Sequence, residues 1–366
     1  MGNKMSRSVA ALLITGTIVM SGLSGFAGAY VANNIKQEAV VQPNKASLDN
    51  ITLTSTNKAS GEALSISEIV DLAADSVVEI STETVTRNTR MKQYISEGAG
   101  SGVIVSKDGY IVTNNHVIDG ATKITVITHN QKSYSAKLIG KDSKTDLAVL
   151  KIQASDLQPA VYGDSTKLVV GELAVAIGNP LGQLGGTVTE GIISALNRDI
   201  NIDGETMNLL QTSAALNPGN SGGGLFNEYG ELVGIVNAKS SGSGIEGIGF
   251  AIPINTVTGI ANDIIKYGYV QGRIDTGLTL LDIADTQTAL MYRVQSKGLY
   301  VLKVNDSTSK FKSGDRIITV DGTSISTSGE LNQLIDKHKV GDTLKVVVSR
   351  GNSNVQLDLT LKQAKE

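Results

Sequence analysis

Three side chains in this 366-residue chain have the types needed for acyl transfer: His116, Asp146 and Ser221. Ser221 lies within Asn217-Pro218-Gly219-Asn220-Ser221-Gly222-Gly223-Gly224, where every second residue on average is glycine. Glycine has no Cβ, so it admits backbone with positive φ and lets a second strand approach closely. A serine held in such a turn presents its hydroxyl outward and leaves neighbouring amides free. A nucleophile beside an oxyanion hole needs both features. The hydroxyl is a weak nucleophile near neutral pH and requires a base. Histidine titrates close to neutrality and can take the proton and return it to the leaving group. A carboxylate fixes the imidazole tautomer and stabilises the imidazolium. The amides of Gly219 and Ser221 are placed to receive a developing oxyanion. Each residue also has a plainer reading. Gly-Asn-Ser strings occur in surface turns, a histidine after a strand is often structural, and an aspartate before an apolar run often caps a turn. The choice rests on whether the surrounding elements converge.

Composition removes several rival chemistries. The chain has no cysteine, which excludes disulfides, thiol catalysis and cysteine-rich zinc sites. Its formal charge of −3 gives no basic excess for nucleic acid. The three histidines, His116, His129 and His338, show no local metal-binding spacing, so no metal site and no cofactor is expected.

Lys4 and Arg7 precede an uncharged run from Ser8 to Ile35. A positive end followed by an apolar core is an export signal. Ala27-Gly28-Ala29 has the small-x-small form of a cleavage site, yet the run is also long enough to span a bilayer. Residues 1–35 therefore read as a signal or single-pass membrane anchor, retained or cleaved, with the body of the protein extracytoplasmic. Residues 36–63 are polar and aperiodic and read as a disordered linker.

The next stretch, 64–270, is a sequence of short strands. A helix is expected from Ser65 to Ala74. Strands follow at Val77–Thr82, at Gly102–Val105 and Tyr110–Thr113 around the Asp108-Gly109 turn, then at 123–128, 133–140 and 147–152. Glu83–Gly98 is polar and reads as a long loop. Further strands are expected at 172–178, 186–194, 209–212, 231–237 and 247–252, closed by a helix over Ile254–Tyr267. About a dozen strands exceed one small barrel and suit two side by side. His116 and Asp146 then fall in the first half and Ser221 in the second.

Five motifs in order carry a resemblance: Thr113-Asn-Asn-His-Val-Ile118, Thr145-Asp-Leu-Ala-Val-Leu150, Ala176-Ile-Gly-Asn-Pro180, Asn217-Pro-Gly-Asn-Ser-Gly-Gly223 and Gly247-Ile-Gly-Phe-Ala-Ile-Pro253. Together they resemble the HtrA (Deg) family of serine proteases over about residues 64–365. The resemblance implies a mostly β fold: a chymotrypsin-like double six-stranded β-barrel followed by a small α+β PDZ domain. It implies His116 as general base and acid, Asp146 as its orienter, Ser221 as nucleophile, and an oxyanion hole on the backbone of Gly219, Asn220 and Ser221. It places Leu216, Ala238, Lys239, Ser240 and Ile248 near the pocket for the residue before the cut, where small or medium apolar side chains fit. Ser213, where the family has an acidic residue, and Gly224, where it has Pro or Ala, depart from the pattern without touching the three catalytic types.

From 271 to 366 the pattern turns α+β. Gly298–Val304, Asp315–Gly322, a helix from Ser328 to Lys337 and Asp342–Arg350 resemble a PDZ domain, which adds a peptide as a strand and captures its C-terminal carboxylate. Thr276-Gly277-Leu278 is the carboxylate loop by position, although the family has an apolar residue at Thr276. The reading is a serine endopeptidase acting on unfolded or misfolded exported proteins. The family implies stress-linked quality control, a homotrimer, and C-terminal peptides as ligands of the PDZ domain. The rival is a peptide-binding chaperone or scaffold with an idle protease fold.

Overall fold

The computed structural model describes residues 62–87, 93–179, 187–202, 205–217, 219–238 and 248–365. The expected signal or anchor and almost all of the expected linker lie outside these residues. Among the described residues no helix is long and apolar enough to cross a membrane.

Helix α1 (Ile66–Ala73) opens the fold. Ser65 caps it and Glu68 returns a bond to the Ser65 amide, which satisfies two free donors of the first turn. Strands β1 (Val77–Arg87), β2 (Gln93–Ile104), β3 (Tyr110–Asn114), β4 (Lys123–Ile127), β5 (Ser133–Ser135), β6 (Lys137–Asp142) and β7 (Leu147–Lys151) follow, with the short helix α2 (Asn115–Ile118) after β3. They form one seven-stranded sheet in the order β5-β4-β1-β2-β3-β7-β6. Its two end strands are joined through Ala136 alone. The sheet therefore curls on itself as a half-barrel rather than closing with six strands. The second half does close. Strands β8 (Leu173–Gly178), β9 (Thr187–Ile202), β10 (Glu205–Thr212), β11 (Gly224–Phe226), β12 (Leu232–Val236) and β13 (Gly249–Pro253) make a barrel in the order β10-β13-β12-β11-β8-β9. Helix α3 (Ile254–Tyr267) ends at Gly268, whose φ of 84° is one a glycine adopts without strain.

The expected loop over Glu83–Gly98 is instead a long hairpin. Its ladder is continuous from Val77↔Val103 to Arg87↔Gln93. Residues 95–99 are all exposed, including Ile95, so neither face is apolar and the alternation that marks a strand is missing.

Ile80, Ile104, Ile111 and Leu150 fill the first half. Ala174, Ile193, Leu210 and Leu225 fill the second. A third cluster joins the two: Val103, Val112 and Val149 meet Val175, Phe226 and Ile235, sealed by Ile69 of α1 and Val257 of α3. Burying each of these side chains contributes about 1.5–3 kcal/mol. The seam between the halves is thus a core in its own right.

Beyond α3, strands β14 (Ile274–Asp275), β15 (Leu278–Ile283), β16 (Gly298–Val304), β17 (Arg316–Val320), β18 (Thr323–Ser324), β19 (Thr343–Arg350), β20 (Ser353–Thr360) and β21 (Lys362–Gln363) accompany helices α4 (Thr286–Met291) and α5 (Ser328–Ile335). The main sheet runs β15-β16-β17-β19-β20, so β15 is an edge strand. This unit has its own core of Leu299, Val301, Ile317, Leu331, Val346 and Leu359. Strand β20 and helix α4 have no counterpart in the sequence reading.

Candidate active site

Asp146 stands in the turn between β6 and β7 with φ of 54°, a left-handed conformation that a short polar side chain tolerates. Its carboxylate does two things for His116. Oδ1 accepts the His116 backbone amide at 2.9 Å and so anchors the first turn of α2. Oδ2 lies 2.6 Å from His116 Nδ1. An ionised carboxylate only accepts, so this contact places the proton on Nδ1 and leaves Nε2 free to act as a base. The Asp146 backbone carbonyl also takes the Asn115 amide at 3.0 Å and the Asn114 side-chain amide at 3.1 Å. The turn and the helix that carry the pair are fixed to each other through both backbone and side chain.

Asn237, at the end of β12 in the closed barrel, donates its side-chain amide to Asp146 Oδ2 at 3.0 Å. Asp146 is thereby held from both halves. The sequence offered one signal for this residue: a lone amide directly following the apolar strand Leu232–Val236.

Ser221 is buried, 6% exposed, between the halves. Gly222, with φ of 82°, has no room for a side chain, because a Cβ there would stand 2.1 Å from the Ser101 carbonyl. The turn is tied to the first half by Ser101 on β2. Its amide donates to the Ser221 carbonyl at 2.8 Å. Its hydroxyl donates to the Gly219 carbonyl at 2.7 Å and accepts the Asn179 amide at 2.8 Å. Thr113 in turn donates to the Ser101 carbonyl at 2.6 Å. Gly219 has φ of 103°.

Of the three amides expected to form an oxyanion hole, that of Asn220 is engaged by the Asn217 carbonyl at 3.0 Å. Among the described residues, those of Gly219 and Ser221 have no such partner and remain available. The Ser221 hydroxyl accepts the Ala238 amide at 3.2 Å. Among the described residues no hydrogen bond joins it to His116.

Leu216 is half-buried and closes against Gly249, where a Cβ would meet Leu216 Cδ1 at 2.6 Å. Ile248 is exposed and Ala238 half-buried. Lys239 and Ser240 lie outside the described residues. Both departures from the family pattern have local reasons. Ser213 bonds with both its amide and its hydroxyl to Ile192 on β9. Gly224 faces the Phe226 ring, which would stand 2.4 Å from a Cβ, so the large Phe226 excludes a side chain at 224.

Thr276 and Gly277 lead into β15, which begins at Leu278, and Thr276 and Leu278 line a cavity of about 600 Å³. Helix α5 supplies Leu331 and Ile335 to that cavity, and Asp142, Lys144 and Glu205 also line it. Arg273 grips Asp142 through two bonds of 2.9 and 2.6 Å, and Thr145, the residue before Asp146, donates to the same carboxylate. Among the described residues no cluster is suited to a metal ion.

Residues 100–235 match the trypsin-like peptidase domain family and residues 286–361 the PDZ domain family. Over 96% of its length the chain is 37% identical to the serine protease Do-like HtrB of Bacillus subtilis, covering 82% of that protein. It is 34% identical to the serine protease Do-like HtrA of Lactobacillus helveticus, with 99% and 96% of the two chains covered. Among solved structures, the HtrA-type protease AlgW with decapeptide superposes with a TM-score of 0.54 at 32% identity, over 82% of this chain and 99% of that one. The serine endoprotease from Yersinia pestis gives 0.52 at 34% identity, over 83% and 100%. A glycine turn carrying Ser221 and clamped between two β halves, a carboxylate-held imidazole and a PDZ domain at the C-terminus thus coincide with kinship over nearly the whole chain, which belongs to the HtrA family of serine proteases and is a serine endopeptidase.

Proposed function

We propose that Ser221 is the nucleophile, His116 the general base and then acid, and Asp146 the group that orients and stabilises the imidazolium. His116 Nε2 takes the proton as Ser221 Oγ attacks the scissile carbonyl carbon. The oxyanion is received by the amides of Gly219 and Ser221. Collapse releases the amine with the proton from His116, and water attacks the acyl-enzyme by the same route reversed. The observation that carries this reading is the double hold of Asp146 on the ring and backbone of His116.

The engagement of the Ser221 hydroxyl by Ala238 favours a second, compatible reading. The enzyme rests with its nucleophile turned from the base, and bound substrate completes the contact. The proposed divisions are a signal or anchor at 1–35, a linker at 36–63, the protease domain at 64–270 and the PDZ domain at 271–366.

The relative named a probable periplasmic serine endoprotease DegP-like, from Rickettsia conorii, supports an extracytoplasmic site of action, where unfolded exported proteins are the substrates we propose. The basic start and uncharged run of 1–35 support a membrane tether there. The decapeptide in AlgW supports peptide binding, which we assign here to the PDZ domain, and exposed Val169, Val170 and Ile192 offer an apolar patch for self-association, which we take to be trimeric.

The test is cleavage of unfolded casein by the purified full chain and by Ser221→Ala. The wild type should produce fragments and the variant none above background. Equal activity would leave only the binding module.

A further inference from the structure

In a domain of this kind the amides of the loop that opens β15 are the groups that would hold a ligand's terminal carboxylate. Here they already have partners. The Gly277 amide donates to Asp275 Oδ1 at 2.7 Å, and the Leu278 amide to Thr276 Oγ1 at 3.3 Å. Asp275 therefore places its own carboxylate on the donor that a terminal carboxylate would use.

The charges around the cavity point the same way. Four cationic or protonatable side chains line it, and each has an acidic partner: Lys141 with Asp119, Lys144 with Asp336, Arg273 with Asp142, and His338 with Asp342. Lys362 stands opposite Asp275 in the β14–β21 pair, but its ammonium lies on Asp306 at 2.7 Å. Asp275 and Glu205 have no such ion pair among the described residues, so the wall carries surplus negative charge.

Among the described residues the edge of β15 nonetheless has no second strand, although Ser328 at the start of α5 bonds the Asp282 side chain. The strand's one ladder partner is β16, and α5 flanks it across the cavity. A strand can add there through backbone bonds without bringing a terminal carboxylate.

We propose that this groove takes an extended segment from the interior of a polypeptide, and that Asp275 is the specificity-determining residue that turns free C-termini away. The occupant is unfolded substrate, which offers many interior segments and one C-terminus. This deepens the reading of the second domain as a substrate-peptide holder and rests on it.

The test uses full-length protein with Ser221→Ala, alone and combined with Asp275→Asn, immobilised and exposed to two randomised decapeptide pools. One pool ends in a free carboxylate and the other in a carboxamide. The asparagine keeps an oxygen for the Gly277 amide and removes the charge. The protease cleft is the same in both proteins, so a change in the acid-to-amide ratio reads the groove. The amide pool should be retained at least tenfold more than the acid pool, and Asp275→Asn should bring the two within about twofold. Equal or better retention of the acid pool by the Asp275 protein, retention of neither pool, or an unchanged ratio in the variant would overturn the proposal. Casein cleavage by the protein with Ser221 intact is scored separately, so failure of the protease reading is distinguished from failure of this one.

Discussion

At the scale of single residues, the turn that carries Ser221, the proposed nucleophile, is held by a second serine, Ser101. Ser101 fixes the Gly219 carbonyl through its hydroxyl and the Ser221 carbonyl through its amide. Replacing it by alanine leaves the amide bond but frees Gly219, whose own amide is one of the two proposed oxyanion donors. A displaced donor weakens the transition state more than the ground state. Ser101→Ala should lower kcat about ten- to a hundredfold, near 1.4–2.7 kcal/mol, with KM within about twofold. Steady-state kinetics on a fluorogenic peptide would decide it, and a rise in KM at constant kcat would contradict the positioning role. Asn237→Ala removes one donor from Asp146 and should reduce kcat about tenfold, in keeping with the 1.5–3 kcal/mol range for a hydrogen bond to a charged group. The pairing of His116 with Asp146, two of the three residues proposed for catalysis, was expected from the sequence because few side-chain types suit acyl transfer. Ser101 was not, since a serine between two glycines looks like any turn, and its partner Gly219 lies 118 positions away.

At the scale of elements, apolar alternation located what is half-buried and missed what is not. Helix α3 was legible to the residue because Val257, Ala261 and Ile264 return on one face. The outer half of the β1–β2 hairpin was illegible because its pairing is to itself and both faces meet water. The contacts that dock the second domain were likewise invisible, being made of charged and amide side chains of distant elements. Arg273 binds Asp142 at the end of β6, and Asn332 of α5 donates to Glu205 of β10 at 2.9 Å. Burial holds the Glu205 carboxyl above its usual range of 4.5. The sign follows from linkage. Below the ordinary value both folded and unfolded chains are protonated and nothing is lost. As pH rises from 4.5 through the raised value, the folded state must ionise a desolvated group, and stability falls. Glu205→Gln keeps an oxygen for Asn332 and removes the charge. The wild-type melting temperature should therefore drop relative to the variant as pH rises from 4.5 to neutrality, leaving the variant the more stable at neutral pH. Scanning calorimetry at both pH values checks this, and a gap that widens toward acid would reverse the assignment.

At the scale of the whole molecule, the proposed trimer turns on a small amount of apolar surface. Val169 and Val170 precede Gly171, whose amide bonds to the Ile193 carbonyl at 2.9 Å, so they sit beside Ile192 on the outside of the closed barrel. They are 60% and 55% exposed, and Ile192 is 43% exposed. Burying what remains exposed of the three side chains contributes about 2–5 kcal/mol per protomer. Association opposes this with about 4–15 kcal/mol of lost translational and rotational freedom. The apolar term reaches only the lower end of that cost, so a complex that uses this patch has little to spare and one charged substitution is enough to tip it. Val170→Glu buries a carboxylate against apolar neighbours and should convert the trimer to monomers at micromolar concentration, with the fold intact by circular dichroism. Sedimentation velocity of wild type and variant reads the outcome directly. The active-site bonds described above all lie within one chain, so the monomeric variant should still cleave a short peptide. If the same species sediments in both, the trimer contact lies elsewhere on the surface; if the variant is monomeric and inert on peptide, the Ser221 turn depends on a neighbouring protomer for its reactive shape.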